Sequence, residues 1–181
     1  LYPESYFSKI SYTNLDLKII RAKYKSIKFG IGFYLEENVK IGKNVFIGNH
    51  VTIKKNCKIG NNVIIGSNVV IENSFISDNV HICDGSIIGK KGFGFKFIKK
   101  KCLRIPHIGK VIIGKECEIG ANCVIDRGSI KNTTIGEKTF LDNHVHIAHN
   151  VTIGKQCILA AQVGVAGSTR IGNNVVIGGQ A

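Results

Sequence analysis

The sequence has no methionine and no tryptophan, and only two prolines among its 181 residues. Because it does not begin with methionine and ends inside a repeat, we expect a piece of a longer protein. It has no run approaching the roughly 20 apolar residues that a membrane-spanning helix needs, and no signal-peptide pattern opens it. We therefore predict no transmembrane segment.

Acidic residues are also scarce, 12 against 25 lysines and arginines, so the formal net charge is +13. Only four of the basic residues are arginine, whereas proteins that read bases and phosphates favour arginine. No nucleic-acid-binding motif is present, and we predict no nucleic-acid partner. A basic surface still suits an acidic protein or a phosphorylated ligand.

The six cysteines form no CxxC pair and show no spacing typical of a metal knuckle. Four of them take a position in a sequence repeat that is otherwise held mostly by Val or Thr: Cys57, Cys117, Cys123 and Cys157. This predicts small, buried, reduced thiols and a cytoplasmic protein.

A six-residue period runs from Val39 and continues unbroken from Thr133. The third positions of the last units are all aliphatic: Ile135, Leu141, Ile147, Ile153, Leu159, Val165, Ile171 and Ile177. Such a period is typical of a parallel β-helix of hexapeptide repeats, an all-β fold in which about 18 residues complete one coil. We assign residues 33–181 to it, with shortened repeats at 75–79 and 129–132. A projecting loop is predicted over about 90–104, and residues 1–32 lack the repeat.

Three histidines lie within six residues, at His144, His146 and His149. Adding one coil to His149, which falls at a corner, gives Gly167. A backbone N–H beside an imidazole would suit a general base with an oxyanion donor. An ordinary exposed corner residue is the alternative. The three histidines should not converge within one chain, so a zinc site would need a second subunit.

Three further features bear on ligands and partners. Asp142 falls at a different corner from His149, so only a neighbouring subunit could bring the two together. The outward residues Phe140, Ile158 and Val176 form an apolar column, which indicates packing around a threefold axis or an acyl-chain groove. The stretch "GKKGFGF" lacks both the GxGxxG and the Walker spacing and is interpreted as an aromatic, glycine-hinged flap over a ligand.

Four ordered segments resemble the UDP-3-O-acylglucosamine N-acyltransferases of lipid A synthesis. They are "GFGF", "IPHIGKVIIGKECEIGANCVIDRGSI", "TTIGEKTFLDNHVHIAHNVTIG" and "VGVAGSTRIGNNVVIGGQ", and they span most of residues 80–181. The resemblance implies a left-handed β-helix, a homotrimer and the cytoplasm of a Gram-negative-type bacterium. It implies transfer of a hydroxyacyl chain from acyl carrier protein to the 2-amine of a UDP-linked glucosamine. Residues 1–32 would end an N-terminal uridine-binding domain.

By the same resemblance, His149 is the general base and Gly167 donates its N–H to the oxyanion. Asp142 and Asn143 would orient the base or the substrate, beside His146 as a polar neighbour. The "GFGF" residues would contact substrate: Gly92, Phe93, Gly94 and Phe95. No metal or cofactor is implied, since the carrier thioester is a co-substrate. A second functional histidine and the C-terminal helices of the family lie beyond residue 181.

Two other readings stay open. The sister O-acyltransferase of the same pathway shares the "HIAH" motif and the hexapeptide fold, but it transfers to a hydroxyl and lacks a uridine-binding domain. A zinc-dependent hydratase on the same fold is a different enzyme class. It would need histidines that converge between subunits.

Overall fold

The computed structural model describes residues 16–181, without the side chain of Leu17. It contains one helix, α1 (Leu17–Lys23), among these residues. The strands are β1 (Lys28–Phe29), β2 (Tyr34–Leu35), β3 (Lys40–Ile41), β4 (Phe46–Ile47), β5 (Thr52–Ile53), β6 (Lys58–Ile59), β7 (Ile64–Ile65), β8 (Val70–Ile71), β9 (Ser74–Ile76), β10 (His81–Ile82), β11 (Ile87–Lys91), β12 (Phe95–Ile98), β13 (Lys101–Arg104), β14 (Val111–Ile113), β15 (Glu118–Ile119), β16 (Val124–Arg127), β17 (Thr133–Ile135), β18 (Phe140–Leu141), β19 (His146–Ile147), β20 (Thr152–Ile153), β21 (Ile158–Leu159), β22 (Gly164–Val165), β23 (Arg170–Ile171) and β24 (Val176–Ile177).

The short strands stack into three parallel sheets that form the faces of a β-solenoid. The first face runs β1-β4-β7-β10-β15-β18-β21-β24, the second β2-β5-β8-β11-β16-β19-β22, and the third β3-β6-β9-β14-β17-β20-β23. The eight strands of the first face correspond to about eight coils. The predicted fold class, a parallel β-helix of hexapeptide repeats, is confirmed.

The register follows the hexapeptide arithmetic wherever the repeat is intact. Neighbouring coils pair residues 18 apart, as in Ile147 with Val165. The separation falls to 17 at the shortened repeat, where Ile59 pairs with Ile76. It rises to 37 across the insertion, where His81 pairs with Glu118, and to 22 across residues 129–132, where Val111 pairs with Thr133. Parallel pairing therefore continues through each irregularity. The residues of the β12–β13 insertion lie outside the three faces.

The corners use left-handed backbone, which asparagine tolerates better than most residues. Asn56 and Asn150 have φ angles of 64° and 61°. At another corner the side-chain amides form a ladder, in which Asn44 Nδ2 donates to Asn62 Oδ1 at 3.2 Å. Asn62 Nδ2 then donates to Asn79 Oδ1 at 3.1 Å. The corner asparagines thus both permit the bend and join successive coils.

The core fills the interior of the solenoid with the aliphatic first and third residues of each hexad. Ile53, Ile125 and Ile147 are fully buried, and each such side chain contributes about 1.5–3 kcal/mol. The four cysteines predicted to act as small hydrophobes are at most 3% exposed: Cys57, Cys117, Cys123 and Cys157. All six cysteines are free.

The segment predicted as a projecting loop over 90–104 has regular structure. Strand β11 extends to Lys91, and β12 and β13 then form an antiparallel hairpin that pairs Phe95 with Arg104. Its turn, Lys99–Lys100, has two positive φ angles, 45° and 63°, as in the type I′ turns that suit twisted hairpins. The hairpin is a separate two-stranded sheet outside the three faces.

Helix α1 packs against the first coil. The Asp16 side chain caps it by accepting a hydrogen bond from the Lys18 N–H at 2.7 Å, and Ile20 is fully buried. The Tyr24 hydroxyl donates to the Val39 carbonyl at 2.6 Å. The parallel ladder already begins at Lys28, which pairs with Phe46. Within residues 16–181, no helix is long and apolar enough to cross a membrane.

Candidate active site

His149 lies at the corner between β19 and β20, and Gly167 lies one coil above it. The Ser168 N–H donates to the His149 carbonyl at 2.9 Å, which fixes this stacking. A Cβ atom at residue 167 would lie 2.8 Å from Cε1 and 2.9 Å from Nε2 of the His149 ring. The imidazole therefore rests against the backbone of residue 167, and only glycine leaves it room. The stacking predicted from the sequence is the stacking observed.

Asn150 binds the other edge of the His149 ring. Its Nδ2 lies 3.1 Å from His149 Nδ1. Its Oδ1 accepts a hydrogen bond from the Ser129 N–H at 2.7 Å, and this backbone donor fixes which way the amide faces. The Asn150 N–H in turn donates to Thr133 Oγ1 at 2.9 Å. With Nδ2 donating to Nδ1, a neutral His149 carries its proton on Nε2, the nitrogen that faces Gly167.

His107, from the end of the insertion, covers His149. It is only 3% exposed, and the two rings meet edge to face with centroids 5.0 Å apart. His107 Nδ1 lies 2.9 Å from the Ile105 carbonyl, to which it can only donate, so the lone pair is on Nε2. Burial, followed by the proximity of His149, lowers the pKa of His107. His107 is thus a neutral wall of the site.

The "GFGF" segment alternates between facing the two histidines and facing outwards. A Cβ at residue 92 would lie 2.8 Å from both His107 Nε2 and His149 Cβ. One at residue 94 would lie 3.2 Å from His107 Cε1. Phe93 is 78% exposed, and its ring meets that of Phe95 at 4.8 Å. The glycines allow close approach to the histidines, while the phenylalanines present an aromatic surface beside them.

A buried carboxylate lies one coil below. Asp126, at the end of β16, is 6% exposed, and its Oδ2 lies 3.9 Å from His146 Nε2. Burial raises the pKa of Asp126, against the opposing attraction of His146, His149 and Arg104. His146 itself points outwards from the middle of β19. The predicted polar neighbour, His146, therefore has an acidic partner that was not predicted from the sequence.

Asp142 and Asn143 lie at the corner between β18 and β19, away from His149. The Asn143 side chain accepts a hydrogen bond from the Ala121 N–H at 2.8 Å. Both residues line an open cavity of about 300 Å³, together with Glu118, Phe140 and other residues of the first face. Among residues 16–181, no hydrogen bond or ion pair joins either of them to His149. His144 occupies the same corner, so the three histidines stay apart.

Three residues of the site were not predicted from the sequence: His107, Asn150 and Asp126. His107 lies in an insertion whose path the hexapeptide arithmetic cannot follow. Asn150 has the ordinary corner residue type, and nothing in the repeat distinguishes it. Asp126 gave the clearest available signal, because "CVIDRG" has an aspartate where most units have glycine.

Two family profiles match the chain. One, described as "Bacterial transferase hexapeptide (six repeats)", matches residues 38–73 and 132–167. The other, "Hexapeptide repeat of succinyl-transferase", matches residues 110–143. Together they cover just over half of the chain, and the matched segments include His149 and Gly167.

Several similar sequences are named as N-acyltransferases. UDP-3-O-acylglucosamine N-acyltransferase 2 of Nitrobacter winogradskyi is 52% identical over 73 residues, which is 40% of this chain and 21% of that protein. UDP-3-O-acylglucosamine N-acyltransferase of Dechloromonas aromatica is 51% identical over 69 residues, 38% of this chain and 20% of that protein. The matched part thus spans about a fifth of these relatives.

Two solved structures share the fold over most of the chain. UDP-N-acetylglucosamine acyltransferase from Campylobacter jejuni superposes with a TM-score of 0.72 at 28% identity, covering 84% of this chain and 58% of that one. The Francisella novicida UDP-N-acetylglucosamine acyltransferase gives 0.71 at 26% identity, covering 84% and 57%. The likeness extends over nearly the whole described solenoid.

Proposed function

We propose that this chain, which matches profiles of hexapeptide-repeat transferases over just over half of its length, is the β-helical part of an acyltransferase of lipid A synthesis. It would move a hydroxyacyl chain from acyl carrier protein to the 2-amine of a UDP-3-O-acylglucosamine. The observation that carries this proposal is the His149 ring held against the backbone of Gly167. The substrate assignment follows the names of the similar N-acyltransferases.

The Gly167 N–H is suited to an oxyanion. In the part of the chain that the structure describes, no hydrogen bond takes up this N–H. A fixed backbone donor beside a developing negative charge typically contributes a factor of about 10² to 10³ in rate. The absence of a side chain at residue 167 lets a thioester carbonyl approach both the N–H and the His149 ring. Gly167 would then stabilise the tetrahedral intermediate.

The reaction needs one proton to be moved. The neutral amine attacks the thioester carbon, the C–N bond forms, and the carbonyl oxygen gains negative charge against Gly167. His149 removes a proton from the amine. As the C–S bond breaks, that proton passes to the leaving thiolate. Acyl transfer to an amine thus requires only a base, an oxyanion donor and alignment.

The base must have a free lone pair on Nε2, which requires the ring proton on Nδ1. As observed, Asn150 Nδ2 favours the opposite tautomer. Turning the Asn150 amide over places Oδ1 on His149 Nδ1–H, where it accepts a hydrogen bond. This exchange sacrifices the bond from the Ser129 N–H, which costs about 1–3 kcal/mol when such a group is left unpaired. We propose that Asn150 selects the tautomer of His149.

The second corner, with Asp142 and Asn143, would complete the site from a neighbouring subunit. One chain keeps it apart from His149, whereas a trimer can bring two different corners together. The apolar column of the first face would supply part of the contact or of an acyl groove. The net charge of +13 suits both an acidic carrier protein and a diphosphate. These features support a homotrimer with carrier-protein and UDP-sugar partners.

The cytoplasm is the proposed location, and residues 1–32 are proposed to end a uridine-binding domain. The first 15 residues of that segment lie outside the described part of the chain. Residues 33–181 would form the acyltransferase domain. A transferase that uses a carrier-protein thioester and a nucleotide sugar needs both substrates in one compartment, which is the reason for this placement.

A second candidate acceptor is a hydroxyl group. It is favoured by the superposition on UDP-N-acetylglucosamine acyltransferases, at 28% and 26% identity. The N-acyltransferases are more similar in sequence, at 52% and 51% over shorter segments. We therefore place the amine first. Both reactions would use His149 and Gly167 in the same roles, so only the acceptor distinguishes them.

The test is acyl transfer by the full-length protein that carries this chain, with mass-spectrometric detection of the product. UDP-3-O-acylglucosamine and UDP-N-acetylglucosamine are supplied in parallel. We expect an amide product, and a rate loss of about 10² to 10⁴ on His149→Ala. His50→Asn is the control, because His50 is a corner histidine with φ of 54° in an early coil. Near-full activity of His149→Ala contradicts the base assignment, and an ester product moves the chain to the O-acyl reaction.

A further inference from the structure

The first face of the solenoid carries an outward column of apolar residues that is interrupted in the middle. Its exposed members above and below are Phe46, Ile64, Phe140, Ile158 and Val176. Between them, β10 and β15 place His81 opposite Glu118 in register. This polar pair lies outside the hexapeptide core and has no hydrogen bond or ion pair with His149 among the described residues.

Cys83 lies two residues beyond His81, just past the end of β10. The ligand atoms of His81, Cys83 and Glu118 all lie within 4.8 Å of one another. His81 and Glu118 are exposed, and Cys83 is partly buried. Among the described residues, no hydrogen bond or ion pair of a side chain of this trio is observed, so each ligand atom is available.

These donors match a borderline-soft cation. An imidazole nitrogen, a thiolate sulfur and a carboxylate oxygen are the three ligand types that Zn²⁺ takes, at about 2.0–2.3 Å. Hard ions such as Mg²⁺ and Ca²⁺ prefer oxygen and do not select a thiolate. Two ligand atoms on one tetrahedral zinc are about 3.3–3.7 Å apart at those bond lengths. Small side-chain rotations would bring the trio to that spacing.

Without a cation, the electrostatics oppose deprotonation of Cys83. Burial raises the pKa of the Cys83 thiol, and the carboxylates of Glu118 and Asp84 raise it further. A divalent cation would reverse this effect, because a coordinated thiol loses its proton. The same cation would neutralise Glu118, which otherwise places a charge within an apolar column. If that face is covered by another subunit, an unpaired carboxylate there would be costly.

We infer that His81, Cys83 and Glu118 form a binding site for a divalent transition-metal ion, zinc foremost. The site has three protein ligands and an open fourth position for water, as is usual for zinc sites that are not purely structural. On binding, the Cys83 proton is released to solvent and Zn²⁺ takes its place on sulfur. The ion would join two successive coils, through β10 and β15, across the 37-residue step of the insertion. We assign the ion no step in the proposed acyl transfer, although Cys83 and Glu118 line the cavity that contains Asp142 and Asn143.

The test uses the whole chain, reduced and freed of metal with a chelator. Zinc affinity is measured by calorimetry, and Co²⁺ is added separately to look for the thiolate-to-cobalt charge-transfer absorption. We expect one zinc per chain and a raised melting temperature with zinc. Cys83→Ser should weaken binding by more than about 100-fold, because losing a ligand exceeds the 10–100-fold effect of outer-shell changes. It should also abolish the absorption band.

Matched controls keep the result specific. Cys102→Ser removes the exposed thiol of the hairpin and should bind zinc like the wild type. Glu118→Gln keeps the shape of the side chain and should weaken binding even if Cys83→Ser folds poorly. Mg²⁺ should not displace zinc, and the apparent affinity should fall as the pH is lowered. A wild type no tighter than Cys83→Ser, or an equal loss on Cys102→Ser, overturns the site. Because no activity is measured, this outcome is independent of the acyltransferase proposal.

Discussion

Two corners of the solenoid share a backbone and differ in chemistry. At the lower corner, after β5, Asn56 Nδ2 donates a hydrogen bond to Asn73 Oδ1 at 3.2 Å. Beside it, Lys54 Nζ and Glu72 Oε2 form an ion pair at 3.9 Å. At the upper corner, after β19, Asn150 has the same left-handed conformation, but its Nδ2 contacts Nδ1 of the His149 ring. The corner conformation therefore does not create a site.

The difference arises from what lies around each corner. His149 has a glycine above it and the insertion, through Gly92 and His107, against its side. The lower corner instead has Lys54 and the mostly buried Glu72, which form an ion pair. A repeating scaffold thus supplies identical positions, and a site forms only where both a neighbouring coil and an insertion change one of them.

The largest effect should come from filling the space above His149. Gly167→Ala keeps the backbone N–H but places a Cβ 2.8–2.9 Å from the ring. The ring must move, and a displacement of about 1 Å can cost 10²-fold in rate. We expect a loss of about that size in acyl transfer by the full-length protein.

Gly164→Ala is the matched control for this substitution. A Cβ there would meet nothing within 4 Å, although residue 164 is only three residues away. Melting temperatures of both variants should stay close to that of the wild type. Equal activity of the two variants would show that the contact between Gly167 and His149 does not affect the rate of acyl transfer.

A smaller effect should follow from changing the partner of His149. In Asn150→Asp the carboxylate can accept hydrogen bonds from both the Ser129 N–H and His149 Nδ1–H. A hydrogen bond to a charged group contributes about 1.5–3 kcal/mol, so the Nδ1–H tautomer should become dominant. Nitrogen-15 NMR of the imidazole ring measures this directly. Asn56→Asp, at the lower corner, should leave the histidine signals unchanged, and an unchanged tautomer in Asn150→Asp would refute the role of Asn150.

The smallest effect concerns the pH dependence of stability. It compares two carboxyl groups, Asp126 and Asp78, whose pKa values shift in opposite directions. Burial raises the pKa of Asp126 above its ordinary 3.8, so the folded state binds this proton more tightly than the unfolded state. The stability it contributes is present below pH 3.8 and is lost as the pH rises through the folded pKa. Asp126→Asn should therefore raise the melting temperature at pH 7, and the gain should vanish in acid.

Asp78 provides the opposite sign at an exposed corner. Hydrogen bonding from the Asn61 N–H lowers its pKa, so its stabilisation is present above pH 3.8 and is lost as the pH falls. Asp78→Asn should lower the melting temperature at pH 7. Thermal unfolding of both variants across the acid range checks the pair. A lower melting temperature for Asp126→Asn at pH 7 would mean that its attraction to His146 outweighs its burial.

Much of this molecule could be predicted from the sequence because its contacts repeat at a fixed interval. The period of six predicted the parallel β-helix, the buried cysteines and the stacking of Gly167 on His149. The arithmetic located the insertion but not its internal structure, in which the predicted projecting loop contains the β12–β13 hairpin. It gave no information on Asn150, because every corner asparagine has the same local sequence preference.

The sequence by itself determined the coil, its core and its corners, since outside the insertions each depends on contacts between residues 17 or 18 positions apart. Only the tertiary structure decided what surrounds His149 and what joins His81 to Glu118. Those contacts cross the insertion, whose return path depends on packing between distant side chains and not on any local periodicity. The contact between His107 and His149 depends on that return path, so the repeat pattern could not predict it.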